Sequence, residues 1–68
     1  MNEETFNMSI RKFLKMVGVR SQTEIEHAVA KSIGDGKLSG NEALPARMRL
    51  TIGKIDLDLT LDGEIRLE

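Results

Sequence analysis

Arg47-Met48-Arg49-Leu50-Thr51-Ile52-Gly53-Lys54-Ile55-Asp56-Leu57-Asp58-Leu59-Thr60-Leu61-Asp62-Gly63-Glu64-Ile65-Arg66-Leu67-Glu68 is the stretch whose reading decides the fold. Its hydrophobic period is two. Met48, Leu50 and Ile52 alternate with Arg47, Arg49 and Thr51, and Ile55, Leu57, Leu59 and Leu61 alternate with Asp56, Asp58 and Thr60. Strict alternation of this kind marks strands with one apolar and one polar face. Gly53-Lys54 suits a two-residue type II′ turn. That turn pairs Ile52 with Ile55, Leu50 with Leu57 and Arg49 with Asp58. Asp62-Gly63 then marks a second turn. A two-residue turn there moves Ile65 onto the polar face. A three-residue loop, Leu61-Asp62-Gly63, keeps Ile65 and Leu67 on the apolar face and sets Asp58 between Arg49 and Arg66. The expectation is a three-stranded antiparallel meander, with strands at about 46–52, 55–60 and 64–67.

Such a sheet needs a cover on its apolar face. Upstream, Phe6, Ile10, Phe13, Leu14 and Val17 fall within roughly 100° of a helical wheel. Asn2 suits the N-cap, Glu3 and Glu4 face the positive end of the dipole, and Gly18 suits a C-terminal stop. Ser21-Gln22-Thr23-Glu24 reads as a capping box that starts a second helix, with Ile25, Val29 and Ile33 on one face and Gly34-Asp35-Gly36 as its end. The sequence thus predicts an α+β fold, with two helices (about 4–17 and 22–34) packed on one face of the meander in a single domain, residues 1–68. The expected core is Phe6, Ile10, Phe13, Leu14, Val17, Ile25, Val29, Ile33, Met48, Leu50, Ile52, Leu57, Leu59, Ile65 and Leu67. Met8 and Leu61 fall outside it. Lys37 to Pro45 has no readable period, but Ser39-Gly40-Asn41-Glu42 is turn-like, and Leu38 and Leu44 are placed to pin its two ends to the core.

Composition narrows the function classes. Ten basic and eleven acidic residues give a net charge of −1. They are evenly mixed along the chain, so no long-range field attracts nucleic acid or anionic lipid. There is no cysteine, which removes disulfides, thiolate metal sites and cysteine nucleophiles. No apolar run approaches the roughly 20 residues of a membrane span, and the polar start, Met1-Asn2-Glu3-Glu4, leads into no signal-like core. A cytoplasmic location is the expectation. Two phenylalanines are the only aromatic residues, leaving few platforms for stacking bases. A 68-residue chain without staples has a thin stability margin, which favours self-association.

No residue constellation carries chemistry. Asp56, Asp58, Asp62 and Glu64 form the densest acidic cluster, but no spacing matches a calcium loop and arginines interleave; they read as paired charge on a solvated strand face. His27 is alone on the polar side of its helix and lacks a second ligand or an activated nucleophile. Gly34-Asp35-Gly36-Lys37 and Gly53-Lys54 lack phosphate-loop spacing. No catalytic, cofactor-binding or metal residue is assigned, no cofactor is expected, and an enzyme is not expected. Arg11, Lys12, Lys15 and Arg20, around a helix–Gly18–helix pattern, are the argument for weak nucleic-acid binding. Against it, Glu24 and Glu26 stand where a reading helix meets phosphates. The leading reading is a non-enzymatic protein-interaction module, a homodimer or the ligand of an unidentified protein. The free edges near Arg47 or Arg66 are open to another strand.

The run from Met1 to Lys15, with Val17-Gly18-Val19, Ser21-Gln22, Glu24-Ile25-Glu26, Gly40-Asn41-Glu42, Leu44-Pro45-Ala46 and Asp62-Gly63-Glu64-Ile65, resembles a family of short uncharacterised proteobacterial proteins of unknown function. The resemblance implies a small stand-alone bacterial domain. It implies no activity and no site residues.

Overall fold

The computed structural model describes residues 1–68. One helix, α1 (Glu3–Gly34), is followed by a two-stranded antiparallel sheet of β1 (Ala43–Ile52) and β2 (Leu57–Arg66), joined through a single 3-10 turn at Gly53–Ile55. The chain divides into two units, Met1–Lys37 and Leu38–Glu68. The fold is α+β, but two expected features are overturned. There is one helix where two were expected, and a hairpin where a three-stranded meander was expected.

In the first unit, the predicted N-terminus holds. The Asn2 side chain accepts a hydrogen bond from the Thr5 N–H at 3.0 Å, and Glu3 and Glu4 occupy the first turn. The break at Gly18 does not exist. Helix runs unbroken through Gly18-Val19-Arg20-Ser21. A glycine inside a helix costs about 0.5–1 kcal/mol relative to alanine. Ending a helix there and starting another frees four C=O and four N–H groups, a larger loss where nothing replaces them. The residues read as a capping box have other tasks. Glu24 lies 3.9 Å from Arg20, one turn back, and the Thr23 hydroxyl donates to the Val19 carbonyl at 3.2 Å. The end is as expected. Asp35 caps, its N–H and that of Lys37 donate to Lys31 and Ser32 carbonyls, and Gly36 takes φ +78.

In the second unit, β1 and β2 pair from Ala43↔Arg66 to Ile52↔Leu57. The connection is longer than the two-residue turn read from Gly53-Lys54. The 3-10 turn ends at Asp56, which adopts a left-handed conformation (φ 53) and donates its N–H to the Gly53 carbonyl at 3.2 Å. Aspartate tolerates that region better than most side chains. The register therefore moves by two residues. Leu50 pairs with Leu59 and Arg49 with Thr60. A shift of two preserves which side chains share a face, so the apolar and polar faces survive the correction.

The second turn is also absent. Asp62 and Gly63 lie within β2, opposite Arg47 and Ala46. Leu57, Leu59, Leu61, Gly63 and Ile65 alternate without interruption, and Leu61 joins the apolar face opposite Met48. Arg66 lies opposite Ala43 and does not flank Asp58. The ladder extends past its ends, since Leu67 donates its N–H to the Glu42 carbonyl at 2.9 Å.

The expected core is the third correction. No side chain of the chain is buried, and none of the fifteen residues assigned to the core is an exception. A single helix has no neighbour within its own unit, and two strands have one apolar face and nothing within theirs to close it.

Candidate interaction surface

Each unit presents one apolar face. On α1, Phe6, Ile10, Phe13 and Leu14 are 40–53% exposed, and Val17 is half-buried. Ile25 and Ile33 are exposed further along, with Val29 half-buried. On the hairpin, five cross-strand pairs form a continuous apolar strip: Leu44/Ile65, Ala46/Gly63, Met48/Leu61, Leu50/Leu59 and Ile52/Leu57. Leu44, Ala46, Leu50 and Ile65 are half-buried, and the other large members are exposed. Ala46 and Gly63 face each other, leaving a shallow notch between the Leu44/Ile65 and Met48/Leu61 pairs. A Cβ at Gly63 would meet nothing within 4 Å. Leu61, which the sequence reading left outside the core, belongs to this strip, as do Ala46 and Leu44, the latter expected to pin its stretch to the core. The signal for Leu61 was the unbroken alternation through Gly63, and that for Leu44 and Ala46 the same alternation carried back from Met48.

The opposite face of the hairpin is charged and paired. Arg47 Nε donates to Asp62 Oδ1 at 2.6 Å, and Arg49 holds Asp58 through two bonds of 3.0 and 2.8 Å. The Arg49 fork holds the Asp58 carboxyl below its ordinary range, and Asp58 raises Arg49 in return. Both pairs are solvent-exposed and act chiefly on register. Asp58 keeps the expected Arg49 but not Arg66, and only part of the acidic cluster is paired charge. Asp62 takes Arg47, and Asp56 serves the turn. No three histidine or carboxylate side chains converge into a metal-sized group.

Before β1, the chain folds around one carboxylate. Glu42 accepts N–H bonds from Ser39 (2.8 Å), Gly40 (2.9 Å) and Asn41 (3.2 Å). The bonds from Ser39 and then Gly40 hold its carboxyl below the ordinary range. Gly40 takes φ +107, a conformation that suits glycine. This ordered cradle occupies the stretch that had no readable period.

Arg11, Lys12, Lys15 and Arg20 all lie on α1, and the helix-turn-helix that gave them meaning is gone, because no turn follows Gly18. Arg20 is drawn to Glu24. His27 lies on the same helix and is exposed. No helix of the protein is long and apolar enough to cross a membrane.

These features define a small α+β protein in which each unit carries one apolar face and the polar groups serve caps, turns and register. The chain belongs to a family of unknown function (DUF6494), which it matches over residues 1–68. Comparison with curated proteins and with solved structures gives no match.

Proposed function

We propose that this protein is a non-enzymatic interaction module that acts as a homodimer, its two apolar faces closed by a second copy. One observation carries the reading. Nothing within either unit closes its apolar face: Phe6, Ile10, Phe13 and Leu14 on the helix and Met48, Leu57, Leu59 and Leu61 on the hairpin are 36–54% exposed. Apolar faces of this extent on a soluble surface mark association sites. The hydrophobic effect, the main favourable term in folding, has little to act on until another surface arrives. The reading includes a cytoplasmic location, supported by a composition without the cysteines that staple small extracellular domains.

Sedimentation and light scattering from micromolar to millimolar protein test it. The expected result is a particle of two chains whose thermal midpoint rises with concentration. A folded, strictly monomeric particle at millimolar concentration overturns it.

A further inference from the structure

The two outer edges of the hairpin are not alike. Leu67 donates its N–H to the Glu42 carbonyl, and the register runs one to one from there. The even-numbered residues of β1 and the odd-numbered residues of β2 therefore make the ladder bonds. The residues between them turn their backbone groups outward: Ala43, Pro45, Arg47, Arg49 and Thr51 along β1, and Asp58, Thr60, Asp62, Glu64 and Arg66 along β2. Pro45 has no N–H, so the β1 edge is interrupted where an incoming strand needs a donor. The β2 edge has no proline, no lysine and no bulge, and none of its residues takes a positive φ. Its five outward residues are all exposed. Natural sheet edges are usually blunted by such devices, and here only one edge is.

The side chains of the same five residues lie on the polar face. Arg49 and Arg47 reach Asp58 and Asp62 from the β1 side. Glu64 lies opposite Pro45 and has no cation across the ladder. An ionised carboxylate has about four acceptor sites, so Asp58 and Asp62 also accept from the open side. We propose that the β2 edge takes an added strand from another protein, an extended segment in which lysine or arginine alternates with apolar residues. Its cations stand level with Asp58, Asp62 and Glu64, with none level with Arg66. Its apolar residues continue the strip beside Leu57, Leu59, Leu61 and Ile65. Backbone bonds along the edge give affinity, and the charge period gives specificity. A second copy is the poorer occupant, because its β1 edge is interrupted at Pro45 and its β2 edge repeats the same carboxylates. The proposal does not rest on the homodimer reading.

The probe is a capped peptide of about nine residues, the length from Asp58 to Arg66, alternating arginine with valine. It is titrated at low salt into the isotope-labelled full chain and followed by NMR, beside a control peptide with glutamate in place of arginine. The expected result is that the amides of Asp58, Thr60, Asp62, Glu64 and Arg66 shift and exchange more slowly with solvent. Those of Arg47 and Arg49 stay unchanged, and the glutamate peptide gives no response. Thr60→Pro removes one outward N–H and no ladder bond, as Pro45 does on β1, and should abolish the shifts. Glu64→Arg leaves the backbone intact and should weaken binding by up to about fivefold. It decides the matter if Thr60→Pro does not fold. No shift at millimolar peptide, shifts centred on β1 or on the apolar strip, an equal response to the glutamate peptide, or unchanged binding by either folded variant overturns the proposal. Linear assemblies of the protein alone, joined through this edge, make a second copy the occupant and also overturn it. A monomer by sedimentation that still binds the peptide as described removes the homodimer reading and leaves this one standing.

Discussion

The helix and the hairpin each carry one apolar face, but they fix it by different means. In α1 the face follows from the local turn, with every interior hydrogen bond made within a few residues. Its one charged pair, Arg20–Glu24, is long at 3.9 Å. In the hairpin the face depends on which residue of β1 meets which of β2, and a slip of one residue would turn every side chain over. There the charges are close and directional, Arg47 on Asp62 at 2.6 Å and Arg49 on Asp58 through two bonds. Ionic geometry is concentrated where register is at risk.

The largest effects should come from placing a charge on either face. Leu14→Asp on the helix and Leu50→Asp on the hairpin should each lower stability by more than about 3 kcal/mol in the assembled protein. Urea unfolding with parallel sedimentation checks this. If only one of the two dissociates and unfolds the protein, only that face is covered. Next come the glycines of the first unit, which separate one helix from two. Gly36→Ala, at φ +78, should destabilise by about 1 kcal/mol. Gly18→Ala should stabilise by about 0.5–1 kcal/mol, because Gly18 is helical and its Cβ would meet nothing within 4 Å. Thermal melts at fixed concentration decide it, and a destabilising Gly18→Ala would restore the break between two helices.

The smallest effects concern Glu42 and Asp58, both in the hairpin unit. Their folded carboxyls titrate below their ordinary values. Each therefore contributes stability that is fully present above the unfolded pKa and is lost as pH falls through the folded one. Glu42→Gln and Asp58→Asn should lower the midpoint slightly at neutral pH, and the gap to the native protein should close on acidification below the usual carboxylate range. A gap that is unchanged in acid would disconnect these carboxylates from the fold. Glu42→Gln should have the larger effect, since three backbone N–H groups lose a charged acceptor while Arg49 remains free to bond elsewhere.

Sequence reading recovered the faces better than the connections. The helix start at Asn2, its end at Gly34-Asp35-Gly36 and the in-out pattern of both strands are all present in the structure. The errors share one cause. Gly18 with Ser21-Gln22-Thr23-Glu24, and Asp62-Gly63, are strong local punctuation, and each was read as a boundary. In both places the longer pattern crosses the punctuation, as unbroken helix through Gly18 and as two-residue alternation through Gly63. Continuity of period outweighs a local signal, because a face buried as a unit involves many side chains and a turn residue only one. At Ser39-Gly40-Asn41-Glu42 a turn was legible, but the carboxylate at its centre was not, for another reason. The cradle depends on a carboxylate folding back on the three residues before it, which leaves no period to detect.

The ion pairs of the hairpin also sort charge by strand. On the polar face β1 shows only Arg47 and Arg49, while β2 shows Asp58, Asp62 and Glu64 with Arg66 at its end. Each strand is thus the complement of the other and a poor match for itself. Two hairpins meeting β1 to β1 would set guanidinium beside guanidinium, and β2 to β2 would set carboxylates together over most of the strand. Favourable edge contact runs β1 to β2 only, a head-to-tail sense that two molecules related by a two-fold axis do not satisfy. Sign segregation therefore disfavours a closed, two-fold pairing of hairpins through their edges, and the edge contact it does permit is of the kind that extends and does not close.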